Sequence, residues 1–387
     1  MEIKHNISHN YLPQQYEETA KPSINHNFLQ QQFSDYKEIF KKMEKVVISG
    51  DFTLGRDVDL FEKEFAGTVG TEYAIGVGSG TDALFLSLKA LDIGSGHEVI
   101  TTPYTFFATI GAIAASGAVP VFVDIGEDLN IDPSLIENTI TKNTKAILPV
   151  HWSGMPCDME EIMAIANKHE LHVVEDACHA IKAKLNNKSP GSFGDTGCFS
   201  LHPLKNLNIW GDGGVITTNS EELHDRLILL RNHGLTGRNE CAVWGYNSRL
   251  DSVQAVIAMH LLNKLERITE SRIRNAEFFD ERLSKIPQIK IPKRAPNTKH
   301  VFHIYVIRAE KRDELQKFLI ENGIDAKIHY PIPMHLQPAA KSFGYKEGDF
   351  PVCEEVCNSV ISLPVHEFIT KEQQEYVVKK IKGFYEK

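Results

Sequence analysis

The chain has 387 residues, 42% hydrophobic and 24% charged, and its 42 Lys and Arg against 51 Asp and Glu give a formal net charge of −9. That length supports two or three domains with a large core, and the mild acidity excludes nucleic acid as the main partner, because no basic stripe stands ready to neutralise phosphates. The six cysteines are scattered without a dense disulfide framework and read as cytosolic thiols.

In chain order, Met1 to Pro22 is polar and holds no apolar stretch of signal-peptide length. The longest apolar run, Ile110 to Val123, is broken by Gly111, Ser116, Gly117 and Pro120, which rules it out as a membrane span. The expectation is a soluble, cytoplasmic protein with residues 1–30 as an N-terminal arm. From Tyr73 onward short β-rich runs alternate with helical patterns. The runs are Tyr73–Val77, Glu98–Thr102, Val119–Val123, Ala146–Val150, His172–Glu175, Cys198–Leu201 and Val215–Thr218; helices are expected at Asp82–Leu91, Phe107–Ser116 and Glu160–His169. Asp158-Met159-Glu160-Glu161 announces the last of these with a capping-box-like start. Such alternation implies an α/β fold, a mainly parallel sheet covered by helices on both faces, with ligands gathering at the C-terminal strand ends.

A long helical region, Asp251 to Leu283, follows. After it come a strand (Val301–Arg308), a helix (Lys311–Glu321), the Pro-rich segment Tyr330–Pro338 and a terminal helix (Lys371–Tyr385) with an apolar stripe. The change of pattern places a large domain at residues 31–265 and a smaller α+β C-terminal domain at 266–387.

Three places carry candidate chemistry. Gly76-Val77-Gly78-Ser79-Gly80-Thr81-Asp82 is a strand end, a Gly/Ser/Thr turn and a helix start, whose free N–H groups and hydroxyls suit a phosphate. Its alternating glycines do not meet the GxGxxG spacing of a dinucleotide fold, and the turn also has a plain packing reading. Lys205 sits between a strand and the Gly-rich turn Gly211-Asp212-Gly213-Gly214, a bend that suits an amine whose pKa is lowered to attack a carbonyl. Asp176 ends the run His172-Val173-Val174-Glu175-Asp176. A lysine plus a strand-end carboxylate is what pyridoxal phosphate (PLP) needs, one as the imine partner and the other as counter-ion of the pyridinium nitrogen. Ser200, five residues before Lys205, can face the same ligand. Cys353 and Cys357 lie one helical turn apart with no second Cys/His pair at ligand spacing, so no metal site is expected.

The segments Glu175-Asp176-Ala177-Cys178-His179-Ala180, Gly191-Ser192-Phe193-Gly194-Asp195, Phe199-Ser200-Leu201-His202-Pro203-Leu204-Lys205-Asn206 and Gly211-Asp212-Gly213-Gly214 together resemble the PLP-dependent sugar aminotransferases of the DegT/StrS type. Pro103-Tyr104-Thr105-Phe106, Val150-His151-Trp152-Ser153-Gly154-Met155-Pro156, Gly245-Tyr246-Asn247-Ser248-Arg249-Leu250 and His329-Tyr330-Pro331-Ile332-Pro333 extend the likeness over about residues 25 to 385.

The resemblance implies the fold type I architecture of PLP-dependent transferases. It also implies transfer of an amine, from L-glutamate, to a keto-deoxysugar carried on a nucleotide, with PLP alternating with pyridoxamine phosphate. On it, Lys205 is the Schiff-base and proton-transfer residue and Asp176 the partner of the pyridine nitrogen. His179 takes the place of a common glutamine at the cofactor's phenolic oxygen. Ser79, Gly80, Thr81 and Ser200 hold the phosphate, and Phe106 stacks on the ring. Asn247 reaches the phosphate of a neighbouring subunit, which implies a homodimer with shared sites. His329, Tyr330, His151, Trp210 and Arg249 are the candidates for the sugar side. Lys182 stands where the family has glycine, a departure the sequence does not explain. Two rivals share the resemblance: a PLP-dependent sugar dehydratase or cyclitol/aromatic-amine synthase, and a non-catalytic PLP-binding regulator. Lys205 stands against the dehydratase branch, which carries histidine at the Schiff-base position.

Overall fold

The structure is a computed structural model that describes residues 24–386. Most of the arm expected at residues 1–30 therefore lies outside the described residues. The first eight strands are β1 (Tyr73–Val77), β2 (Glu98–Thr101), β3 (Val119–Phe122), β4 (Thr144–Ile147), β5 (His172–Asp176), β6 (Lys184–Leu185), β7 (Thr196–Ser200) and β8 (Gly214–Thr218). All but β6 form one seven-stranded sheet in the order β1-β8-β7-β5-β4-β2-β3. β2 pairs parallel with β3 and β4, β4 with β5, and β5 with β7, whereas β8 runs antiparallel to β1 and β7. Strands buried on both faces need near-continuous apolar runs, and β8 is buried at every position while β5 is exposed only at His172.

Short helices flank this sheet. The Gly80–Ala90 helix begins at Ser79, whose side chain accepts the Asp82 N–H, and the Met159–Lys168 helix begins at Asp158, whose carboxylate accepts the Glu161 N–H. The helical region expected to run unbroken from Asp251 to Leu283 is two helices, Ser252–Leu262 and Leu265–Leu283, separated at Asn263 and Lys264. The first packs wholly into the apolar cluster under the large sheet. The second starts there with Leu265 and Ile268 and passes Ala276, Phe279 and Leu283 into a separate C-terminal cluster.

Past a small exposed hairpin of β9 (Leu235–Gly237) and β10 (Glu240–Cys241), the C-terminal region builds β11 (Ile289–Lys290), β12 (Thr298–Lys299), β13 (Tyr305–Ala309) and β14 (Val360–Leu363). β13 stands antiparallel between β11 and β14, and β12 pairs with β6. The Arg312–Glu321 and Lys371–Tyr385 helices share an apolar cluster with β13 and β14. Ile304, Val306 and the Pro351–Ser359 helix instead contribute to the core of the large sheet, so the two parts of the chain interlock.

Candidate active site

The C-terminal ends of β5 and β7, the turn after β1 and the loop between β7 and β8 meet at one place. β7 leads into a loop that Ile209 closes by donating its N–H to Leu201 O at 3.0 Å. Within it the Lys205 N–H bonds His202 O at 2.9 Å, and buried Asn208 donates its Nδ2 to Lys205 O at 2.8 Å. These contacts pin the lysine backbone while its side chain lines a pocket with Cys178, His179, Phe199 and Ser200. Among the described residues the Lys205 ammonium has no ion pair or hydrogen bond. Burial lowers its pKa, an effect partly offset by Cys178 and Asp176. A lysine poised in this way is nearer to the neutral amine that adds to a carbonyl.

Asp176 is 5% exposed at the end of β5. Its Oδ2 accepts the Thr109 hydroxyl at 2.8 Å and its Oδ1 accepts the Cys178 N–H at 3.2 Å. The preceding carboxylate, Glu175, points to the opposite side of the strand and is fully buried. It accepts the N–H groups of Gly191, Phe193 and Gly194 at 2.7, 2.7 and 2.8 Å, together with His151 Nε2 at 3.0 Å. The Gly191–Gly194 turn is thus an anchor for β5 and not a ligand loop.

His179 sits three residues beyond Asp176. The Ser153 N–H donates to His179 Nδ1 at 3.2 Å, and burial first, then Lys205 and His329, holds its pKa well below the usual histidine value. The ring is therefore neutral with its proton on Nε2, which leaves a donor for an anionic oxygen.

The turn after β1 faces the lysine loop. Ser79 uses its oxygen as helix cap and keeps its own O–H proton available, while the N–H groups of Gly80 and Thr81 have no acceptor among the described residues. A Cβ on Gly80 would lie 2.7 Å from the Ser200 Cβ, and one on Gly214 would lie 2.3 Å from the Ser79 carbonyl oxygen. Only glycine allows these backbones so close. Helix-end donors, two serine hydroxyls and a nearby lysine fit the phosphate and aldehyde ends of PLP.

Phe106, 48% exposed, precedes the Phe107–Ser116 helix, and its ring lies 6.1 Å from that of Tyr330. The Tyr104 hydroxyl donates to His329 O at 2.5 Å and the Met334 N–H to Pro103 O at 2.8 Å, which hold the His329–Met334 segment over this loop. His329 bonds Ser362 through Nδ1 at 2.9 Å, and burial pushes its pKa down to about 3. Asn247 is exposed. Its neighbour Ser248 accepts the Gly78 N–H at 3.0 Å, and Arg249 donates to Asn232 Oδ1 at 3.1 Å.

Two expected sugar-side residues fall elsewhere. His151 is fully buried with both ring nitrogens engaged, Nε2 by Glu175 and Nδ1 by the Cys157 N–H, so no atom is left for a ligand. Trp210 packs edge-on against Phe33 at 5.5 Å and Phe40 at 5.7 Å, on the side of the N-terminal helices. Conversely, Thr105, Thr109 and His303 were not singled out in the sequence. The His303 ring lies 4.3 Å from that of His179, and its buried Nδ1 has no hydrogen-bond partner among the described residues. The four-residue spacing of the two threonines beside Phe106 was the available signal for them; His303, inside an apolar run, gave none.

Residues 34–382 match the DegT/DnrJ/EryC1/StrS aminotransferase family. The chain belongs to this family. A "pleiotropic regulatory protein" of Geobacillus stearothermophilus is 46% identical over 351 residues, 90% of this chain and 94% of that one. The dTDP-3-amino-3,6-dideoxy-alpha-D-galactopyranose transaminase of Aneurinibacillus thermoaerophilus is 43% identical over 90% of this chain and 95% of its own. Among solved structures, DesV of S. venezuelae, in complex with a ketimine intermediate, superimposes with a TM-score of 0.92 at 38% identity, covering 95% of this chain and all (100%) of DesV. NtdA of Bacillus subtilis, with bound cofactor PMP, gives 0.88 at 30% identity, over 96% and 87% of the two chains. The family shares the fold type I architecture, and the mainly parallel sheet agrees with it.

Proposed function

We propose that this protein is a PLP-dependent aminotransferase that turns a nucleotide-linked keto-deoxysugar into an amino-sugar, with L-glutamate as amine donor. The carrying observation is Lys205, an amine without an ion pair among the described residues, sharing a pocket with His179 and Ser200 beside the Gly80 helix start. PLP, once bound, supplies an electron sink next to the reacting carbon. Lys205 Nζ would be the amine that takes the cofactor's aldehyde and, when free, the base that would carry a proton at the substrate carbon. Asp176 would be the partner of the pyridine nitrogen, and His179 Nε2–H, left free by the Ser153 N–H on Nδ1, would donate to the phenolic oxygen. Ser79, Gly80, Thr81 and Ser200 would hold the phosphate, and Phe106 would cover the ring. His329, Tyr330 and Arg249 remain the sugar-side candidates.

The working unit in this reading is a homodimer in the cytoplasm, with Asn247 of one subunit completing the other's site. Its support is the exposed apolar set Tyr36, Phe40, Val47 and Ile48 on one N-terminal helix and Trp244, 92% exposed, three residues before Asn247. No helix among the described residues is long and apolar enough to cross a membrane.

One observation favours a second reading, a non-catalytic regulator: the name of the Geobacillus relative. Incubation of the PLP-loaded protein with L-glutamate separates the two. Stoichiometric 2-oxoglutarate and loss of the lysine-bound absorbance band support amine transfer, and no oxoacid from any amino acid would leave the regulator or dehydratase readings.

A further inference from the structure

Thr105 and Thr109 are each 1% exposed, and their hydroxyl oxygens lie 2.7 Å apart. Thr109 is in the first turn of the Phe107–Ser116 helix, where a threonine can bond back to its own helix. Its hydroxyl instead reaches the Asp176 carboxylate 2.8 Å away, across 67 residues of sequence. Proton count sets the direction of the chain. A carboxylate only accepts, so Thr109 spends its single proton on Asp176 Oδ2, and Thr105 must then be the donor to Thr109. The chain is therefore Thr105 to Thr109 to Asp176, and each bond in it is shielded from water.

Asp176 has no ion pair among the described residues; beside Thr109 its carboxylate meets Cys178, through the longer bond from the N–H and through the nearby thiol. Thr109 is thus its shortest hydrogen bond, one that fixes the carboxylate rotamer. Thr105 directly precedes Phe106, so the same chain ties the ring-covering loop to the strand end that carries the acid.

We propose that Thr109, itself oriented by Thr105, is a positioning residue that holds the Asp176 carboxylate toward the cofactor's pyridine nitrogen. This rests on the reading of Asp176 given above. Thr109 touches neither cofactor nor substrate; it acts through Asp176.

The test loads wild type, T109V, T109S, T105V and D176N with PLP labelled with nitrogen-15 in the ring, and measures the ring nitrogen's chemical shift and the dissociation constant for PLP. In T109V the resonance is expected to move toward the unprotonated position and PLP affinity to fall roughly tenfold or more, the scale of one hydrogen bond to a charged group. T109S, which keeps the hydroxyl, restores both. T105V moves the resonance in the same direction by less and carries the test if T109V does not fold. A wild-type shift and affinity in T109V, or in T105V where that variant stands in, overturns the proposal when D176N does change the shift. If D176N leaves the shift unchanged, the assignment of Asp176 itself fails, and this proposal with it.

Discussion

At the scale of single residues, Lys182 holds a backbone conformation that costs a side chain-bearing residue stability. Its φ is +67°, in the left-handed region where a Cβ crowds the carbonyl and where glycine would sit without that cost. The side chain offsets little of that cost. Its ion pair with Glu266 is 3.4 Å long, the Glu266 side chain is 59% exposed, and Glu266 also pairs with Lys299 at 3.0 Å. Relief of the left-handed conformation amounts to about 1–2 kcal/mol, and glycine's extra freedom in the unfolded chain returns about 0.5–1 kcal/mol. K182G is therefore expected to be more stable than wild type by about 0.5–1 kcal/mol, measured as a higher urea midpoint with an unchanged slope. A lower midpoint would show that the Lys182 side chain contributes more than its contacts indicate. That Lys205, Ser200 and the Gly80 turn lie close together, near the strand end at Asp176, was legible in sequence as a candidate cluster because each combines a chemical group with a local signal, a strand end or a Gly-rich bend. His303 was not, because its neighbours come from distant segments, and Thr109 showed only its four-residue spacing from Thr105, since its partner Asp176 lies 67 residues away.

At the scale of elements, some runs match the structure to the residue, whereas Cys198–Leu201 and Val301–Arg308 correspond to β7 at Thr196–Ser200 and β13 at Tyr305–Ala309. Tyr73–Val77 coincides with β1, and the Phe107–Ser116 and Lys371–Tyr385 helices begin and end where the pattern does. The run Ala146–Val150 is displaced, with β4 occupying Thr144–Ile147, because Leu148 to Val150 continue the apolar pattern past the last ladder pair. The unbroken helix expected from Asp251 to Leu283 fails for the opposite reason. No Gly or Pro marks the break at Asn263 and Lys264, where the chain turns from the large-sheet cluster toward the C-terminal one. β14 was missed because its four residues follow a helix directly. Their strand character comes from pairing with β13, not from an alternating pattern of their own.

At the scale of the whole molecule, histidines desolvated by the fold, His366 buried and His26 and His329 half-buried, make stability depend on pH. Burial lowers the pKa of His26 to about 4 and those of His329 and His366 to about 3. The unfolded chain binds these protons near the ordinary value of 6.5 while the native fold refuses them. Stability is therefore full above about pH 6.5 and falls as the pH drops toward 4 and then 3. Each group contributes at most about 1.4 kcal/mol of loss per pH unit in that window. Urea midpoints at pH 7.5 and 5.5 are expected to differ clearly, the lower one at pH 5.5; equal midpoints would show that these imidazoles accept protons within the fold. The same acidification bears on the site, where neutral His179 and His303 lie side by side near Lys205.

The most direct measurement of the central claim, that Lys205 is the amine that holds the cofactor, is borohydride reduction of the PLP-loaded protein followed by peptide mapping. The reduced cofactor is expected on Lys205 and on no other lysine, with the label lost in K205A. A reduced label on another residue, or a K205A protein that still carries it and still transfers amine, would show that Lys205 is not the amine that holds the cofactor.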